Sequence, residues 1–304
     1  MFNIRSGAVR LFRLAGVDVY LHWSWFVIAL FEVQSWESRY GSVKWAVLEY
    51  LALFGIVLLH EFGHAMACRQ VGGTANQIVL WPLGGVAYVR PPQRPGAMLW
   101  SIAAGPLVNV ALIPVTVGAL AMARGAGWPD GMPDAYAFLR VVAWTNTILL
   151  LFNILPFYPL DGGQIFRSLL WFVLGRARSL MVATVVGLVG IAGFIGLALW
   201  QRSLWTAAIA GFMLLNCWNG LKHARALLEI AKLERRPGFK CPSCRTAPPL
   251  GGYWQCGACG QRFDTFATGS VCPMCGARHE TTTCLDCQER AGMGEWERQG
   301  LGTR

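Results

Sequence analysis

Charged residues are scarce in this chain of 304 residues: Asp, Glu, Lys and Arg make up 14%, against 55% hydrophobic residues. That balance excludes an ordinary soluble domain, in which about a quarter of the residues are charged. The 26 basic and 16 acidic side chains leave a formal +10, but the excess is shared between an apolar part and a polar tail. It is not by itself a nucleic-acid footprint. Cysteine is sparse before residue 240, where only Cys68 and Cys217 occur. The first apolar run, Val19 to Val33, lacks a small-x-small cleavage site, and Glu32 interrupts its end, which argues against a signal peptide. Several of the later apolar runs carry no ionisable residue, which argues against a transport path.

What stands out against this background is Ile56-Val57-Leu58-Leu59-His60-Glu61-Phe62-Gly63-His64-Ala65-Met66-Ala67. It places H-E-x-x-H inside an apolar run long enough to cross a bilayer. His60 and His64 share one face of a helix, about one turn apart. Two imidazoles so spaced can hold one Zn²⁺, with Glu61 beside the metal's water. A five-residue pattern with three fixed positions also arises by chance. Here, however, unpaired His and Glu would sit among Leu58, Leu59, Phe62 and Ala65 without water. An isolated buried carboxylate costs several kcal/mol or more. A metal accounts for all three polar residues at once.

The apolar runs predict an all-α polytopic membrane protein of about six transmembrane helices. The spans are Val19 to Val33, Trp45 to Ala67, Ala97 to Ala123, Tyr136 to Leu155, Leu180 to Trp200 and Leu204 to Leu221. About 20 apolar residues suffice for each crossing. Trp23, Trp25 and Trp36 suit a membrane interface. Between the second and third spans, 77–81 and 86–89 read as two short strands around Pro82-Leu83-Gly84-Gly85. Such a membrane-associated β-hairpin offers an unpaired edge that an extended substrate could join. A short helix is expected over Gln164 to Gly175. With the N-terminus inside, internal segments hold Arg5, Arg10, Arg13, Arg69, Arg90, Arg94, Arg167, Arg176 and Arg178, against Arg39, Lys44, Arg124 and Arg202 outside. That asymmetry puts both termini of this multi-pass cell-membrane protein in the cytoplasm.

Two histidines leave a catalytic zinc one protein ligand short. Cys68 lies about 6 Å beyond His64 along the helix at 1.5 Å per residue, too far for a metal between the histidines. It reads as a small core residue. His22 reads as hydrogen-bonded at the interface. Asp161 follows Pro159 and precedes Gly162-Gly163, on a backbone interruption tolerated at membrane depth only where protein or a cavity surrounds it. An N-cap for the helix that follows is an equally good account of Asp161.

The sequence resembles the site-2 protease family of intramembrane zinc metalloproteases. The resemblance rests on His60-Glu61-Phe62-Gly63-His64 for H-E-x-x-H, and on Asn153-Ile154-Leu155-Pro156 continuing to Leu160-Asp161-Gly162 for N-x-x-P-x-x-x-L-D-G. Gly105-Pro106-Leu107-Val108-Asn109 is similar to the family's G-P-x-x-N element, and Pro82-Leu83-Gly84-Gly85 to the loop after its metal helix. The four matches come in order over about residues 20 to 175. The resemblance implies that His60, His64 and Asp161 bind catalytic zinc and that Glu61 is the general base. It implies that Asn153 supports substrate or an oxyanion, and that the substrate is a transmembrane protein cut within the bilayer. The connection between the third and fourth spans is too short for the PDZ domain that some members insert, and the tail does not read as CBS domains.

Composition changes at the tail. Residues 1–235 form the expected membrane domain and 236–304 a small cytosolic, β-rich zinc-ribbon domain. Its cysteines are all in C-x-x-C pairs: Cys241/Cys244, Cys256/Cys259, Cys272/Cys275 and Cys284/Cys287. Eight thiolates so spaced indicate two structural zinc sites in a reducing compartment, giving three zinc ions in all. The simplest pairing is first with second and third with fourth; a cross-braced arrangement is the alternative. Metal-bound thiolates offset the tail's basic excess, which favours a cytosolic protein partner over nucleic acid.

Overall fold

A computed structural model describes residues 7–26, 29, 39–81 and 84–298. Among the described residues, the membrane part is built on five long or bent helices and one four-stranded sheet. Strands β1 (Ala8–Leu14) and β2 (Val17–His22) form an antiparallel pair. Helix α1 (Val43–Gln70) then crosses over to β3 (Thr74–Trp81), which runs parallel to β2. A parallel pairing needs such a crossover. Strand β4 (Gly84–Arg90) returns antiparallel to β3, so the order is β1-β2-β3-β4 and β4 lies at one edge.

The expected hairpin is therefore half of a larger sheet. The expectation of a first span over Val19 to Val33 meets a strand at its start, where Val17-Asp18-Val19-Tyr20-Leu21-His22 belongs to β2. Alternation along those six residues suits a half-buried strand. Most of the remainder of that run, with Glu32 and Trp36, lies outside the described residues, as do Pro82 and Leu83.

Four described helices are long and apolar enough to cross a membrane, rather than six. They are α1, α2 (Pro95–Gly125), α4 (Pro133–Ile154) and α5 (Asp161–Gln201), with the short α3 (Trp128–Gly131) before α4. α5 breaks at Gly175, which has φ 76°. The break divides the expected short helix from the expected fifth span. α6 (Leu204–Lys232) packs antiparallel to the second half of α5. The connection 155–160 packs against both: Phe157 and Tyr158, partly buried, lie against Ile191, Met213 and Cys217, and the Cys217 thiol donates to the Tyr158 carbonyl. This packing fixes the start of α5.

One side of α1 carries Val57, Ala65 and Cys68, which pack with Val17, Val19 and Leu21 of β2 and Ile78 and Leu80 of β3. Cys68 is thus a core residue, as its spacing predicts. Near the other end of α1, the buried Glu49 is matched by Tyr40 and by Arg39 at 3.2 Å. His22 stacks on Trp81 and contacts Ser24, away from the H-E-x-x-H turn.

In the tail, short strand pairs β6 (Trp254–Gln255) with β7 (Arg262–Phe263) and β8 (Thr281–Thr283) with β9 (Arg290–Gly292) accompany a closing pair, β5 (Phe239–Lys240) with β10 (Glu297–Arg298). All four C-x-x-C pairs adopt one knuckle. The residue after each second cysteine, Arg245, Gly260, Gly276 or Gln288, has positive φ, and its N–H donates to the carbonyl of the first cysteine. The knuckles pair first with fourth and second with third. Cys241, Cys244, Cys284 and Cys287 form an outer cluster, and Cys256, Cys259, Cys272 and Cys275 an inner one. This nested order replaces the sequential one expected, and it is not the cross-braced alternative either. Trp254, Phe266 and Trp296 fill the core beside the outer cluster. Nesting makes a distinguishing prediction for zinc content. Cys241→Ser with Cys284→Ser should cost one tail zinc per chain, while Cys241→Ser with Cys256→Ser should cost both. Metal analysis of the purified full chain checks this, and the reverse pattern would restore the sequential pairing.

Candidate metal centre

His60 and His64 project from α1 toward α2, where the two helices approach closely. A Cβ on Gly105 would fall 2.2 Å from His64 Nε2 and 2.8 Å from His60 Nε2, and one on Gly63 would fall 2.7 Å from the Ala104 carbonyl oxygen. No larger residue fits either place. Asp161, the first residue of α5, reaches the same point. Its Oδ2 is 3.0 Å from His60 Nε2 and 3.3 Å from His64 Nε2, and the two Nε2 atoms are 3.1 Å apart. Ligands at the corners of a tetrahedron with zinc bonds of about 2.0–2.1 Å would be ~3.3 Å apart. The three donors form a triangle of nearly that size and leave one corner open. The N-cap alternative for Asp161 fails, because Leu160 occupies the cap position.

The outward nitrogens of both imidazoles are fixed by hydrogen bonds. His64 Nδ1 lies 2.9 Å from the Ser101 carbonyl, which can only accept, so Nδ1 carries the proton. The His60 orientation follows through two amides. Asn146 Nδ2 donates to the Asn109 carbonyl at 3.0 Å, which turns its Oδ1 to accept from Asn109 Nδ2 at 2.8 Å. Asn109 Oδ1 therefore faces His60 Nδ1, 2.6 Å away, and accepts its proton. Both Nε2 lone pairs are left for a metal. Asn109, Asn146 and Ser101 are fully buried. In the sequence, Asn109 stands out only as part of G-P-x-x-N, and Asn146 and Ser101 belong to no motif; an asparagine on each of two apolar helices is the signal that marks them. Asn153 sits half-buried near the end of α4, and it is not one of the residues that hold the histidines.

Glu61 points from α1 toward the sheet. Its Oε2 accepts the Ala87 N–H of β4 at 2.8 Å, and a Cβ on Gly85 would overlap its side chain. The carboxylate beside the histidine pair is thus held by the backbone of an edge strand.

The tail clusters have the spacing of tetrahedral zinc thiolates. Sγ pairs lie at 3.6 Å for Cys241 and Cys287, and at 3.7 Å for Cys244 and Cys284, Cys256 and Cys275, and Cys259 and Cys272. Four sulfurs bound at about 2.3 Å would be ~3.8 Å apart. The outer thiols are buried or nearly so, whereas Cys259 and Cys275 of the inner cluster are exposed.

Hydrogen bonds to the outward imidazole nitrogen tune metal affinity about 10–100-fold. Asn109→Ala is therefore expected to weaken zinc binding at the histidine pair by that factor while leaving the tail metals bound. Competition with a graded series of chelators measures both.

Comparison with known proteins agrees with this geometry. Residues 49–197 match the model of Peptidase family M50. A zinc metalloprotease of Methanocaldococcus jannaschii is 31% identical over 180 residues, covering 59% of this chain and 50% of that protein. Rip3 of Mycobacterium tuberculosis is 32% identical over 233 residues, covering 68% of this chain and 56% of that protein. The chain thus spans about half the length of the curated relatives it matches. Among solved structures, the site-2 protease from Methanocaldococcus jannaschii superposes with a TM-score of 0.52 at 25% identity, over 70% of this chain and 95% of that one. His60, His64 and Asp161 all fall within the matched stretch, so residues 49–197 of this membrane protein match a Peptidase family M50 domain, with a fold similar to that of the site-2 protease.

Proposed function

We propose that the chain is an intramembrane zinc metalloendopeptidase that hydrolyses peptide bonds of transmembrane protein substrates, in the manner of regulated intramembrane proteolysis. The single observation that carries this reading is the convergence of His60 Nε2, His64 Nε2 and Asp161 Oδ2 within 3.3 Å of one another, with Glu61 on the intervening turn. The family match supports it, as do relatives named as zinc metalloproteases.

In this reading His60, His64 and Asp161 hold the catalytic metal. Bound zinc would supply Lewis acidity, polarising a carbonyl and acidifying water. Glu61 accepts the proton that water releases and returns it to the leaving amine. The Ala87 N–H steadies the carboxylate between these transfers. A helical substrate hides its peptide bonds, so it must unwind to react. β4 offers the edge on which an unwound segment can pair. The finding that β3 is covered by β2 leaves β4 as the edge of the hairpin available for this, and β4 is the strand that touches Glu61. The two tetracysteine clusters hold structural zinc, which makes three zinc ions per chain.

We assign residues 1–235 to the protease domain and 236–304 to a zinc-ribbon tail facing the cytosol, where it can meet a protein partner. The excess of arginines in the segments assigned inside supports that orientation of both termini. Six crossings would require residues before α1 and helix α6 to span as well as the four helices named above.

A non-catalytic adaptor would keep the fold but has no use for a carboxylate beside an open metal position. Glu61→Gln separates the two readings. It should leave zinc bound and abolish cleavage, so that an uncut membrane protein accumulates in cells carrying the variant. Proteomic comparison of membranes reads this out; unchanged cleavage by the variant would remove Glu61 from the reaction.

A further inference from the structure

Helix α4 carries one arginine within its apolar length. Arg140 lies about 10 Å along Pro133–Ile154 at 1.5 Å per residue. The 22 residues of α4 make a helix ~33 Å long, little more than the hydrocarbon thickness of a bilayer. A guanidinium stays protonated at that depth, and it is costly there without a partner. Among the described residues, Arg140 has neither an ion pair nor a hydrogen bond. The single acid of α4 does not supply one. Asp134 is six residues before Arg140, which turns it to another side of the helix, and both its oxygens lie 3.2 Å from the Gly41 N–H.

Arg140 lines a cavity of about 560 Å³ between α2 and α4. Leu120 comes from α2, Val141, Trp144 and Thr147 come from α4, and Arg39 comes from the segment just before α1. Arg39 uses Nη1 on the buried carboxylate of Glu49, 3.2 Å away, whose other oxygen accepts from Tyr40. Glu49 is thereby matched, and the half-exposed Arg39 keeps its other N–H groups free. Two guanidiniums line the cavity and no carboxylate does.

The character of the wall changes along α4. Arg140, Trp144, Thr147 and Leu151 follow at steps of four, three and four, so they share one stripe of the helix. Trp144 and Leu151 are exposed. The Thr147 hydroxyl donates to the Ala143 carbonyl at 2.8 Å and so presents only its oxygen. The stripe thus runs from a cation through an amphipathic ring and a hydroxyl to an aliphatic side chain. A phospholipid has the same order: phosphate, glycerol esters, acyl chain. A free anion would use only the first of these groups.

We propose that this cavity binds one anionic phospholipid, its phosphodiester between Arg140 and Arg39, its glycerol region beside Trp144 and Thr147, and an acyl chain along Leu151. Basic pockets between membrane helices suit such headgroups. Guanidinium is the cation best shaped for phosphate. A zwitterionic lipid would bring its own ammonium against the two arginines, so net negative charge is preferred. Because Arg39 also holds Glu49, the lipid ties α4 to the first turns of α1. Glu49 and His60 are about 16 Å apart along that helix, so the lipid does not touch the metal centre. The site stands whether or not the chain cleaves peptides.

The test titrates the full chain in detergent micelles with phosphatidylglycerol or phosphatidylcholine and counts bound lipid by native mass spectrometry. One phosphatidylglycerol should be retained per chain, on the order of tenfold more tightly than phosphatidylcholine, the ratio that ~1.4 kcal/mol gives. Arg140→Gln should weaken phosphatidylglycerol binding by about that factor and remove the preference. Arg140→Lys should keep part of it. Arg124→Gln, an exposed charge near the end of α2 outside the cavity, should bind as wild type. Equal retention of the two lipids by wild type would overturn the proposal, as would an undiminished preference in Arg140→Gln. So would displacement of the lipid by inorganic phosphate, since the ligand would then be a free anion. Should Arg140→Gln fail to accumulate, Thr147→Phe fills the cavity and leaves both arginines in place. It should lose the bound phosphatidylglycerol, and retention would be equally fatal. Glu61→Gln keeps this question apart from proteolysis: it should hold the lipid as wild type does, and loss of the lipid there would place the site at the metal centre instead.

Discussion

The membrane domain depends on where two imidazole rings send their protons. A histidine can give one nitrogen to a metal only if the other is satisfied elsewhere, and in an apolar interior nothing but protein is available to satisfy it. His60 and His64 both spend Nδ1 on α2, through Asn109 and the Ser101 carbonyl. Both Nε2 atoms are thereby aimed at Asp161 of α5. Asn146 extends the chain of amides to α4. Four helices are tied at one point by groups that would each be costly if left alone. The close contact at Gly63 and Gly105 is the steric counterpart of the same constraint, since the imidazoles reach those partners only if nothing stands between the helices.

The remaining sides of α1 explain the sheet. With the histidines committed to α2, Val57, Ala65 and Cys68 need apolar cover and find it on β2 and β3. Glu61 falls between these two sides and meets β4, whose backbone supplies the donor its carboxylate needs. A helix with one polar and one apolar face could have been covered by other helices. A helix with a carboxylate at their boundary is served by an edge strand, which brings free main-chain donors to that boundary. The strand that orders Glu61 is thus also the one suited to present an extended peptide to it.

The parts of this arrangement differ in how far the residues announce them. The histidine pair is legible because helix periodicity alone puts His60 beside His64. Asp161 is less so: the broken backbone around Pro159 and Gly162 marks it, but a helix cap reads identically until Leu160 is seen in the cap position. Strand β2 hides because Val19 and Leu21 continue into an apolar run, and the run's length outweighs the alternation from Val17 to His22. Asn109 and Asn146 are silent as single residues, since a buried amide has meaning only through the partner it faces. The four knuckles are legible one by one, while their pairing is not.

The reason lies in the weak dependence of loop closure on length. Sequential pairing would close two short loops, and nesting closes a short one inside a longer one of about 47 residues from Cys241 to Cys287. Closure entropy grows only as the logarithm of length, so excluding the inner loop from the outer changes the cost of the outer site by just ~0.5 kcal/mol. Differences of that size do not select a pairing. Tertiary contacts do: Trp254, Phe266 and Trp296 pack with the outer sulfurs, and β5 pairs with β10 only if the two ends of the tail meet. Nesting brings Cys241 and Cys287 together beside the end of α6, where Arg235 holds Asp286. The inner cluster packs separately, with Phe263 beside Cys256 and Cys272, and leaves Cys259 and Cys275 exposed. The two clusters share one chemistry, but the topology gives only the outer one a place against the membrane helices, and the inner one is left facing solvent.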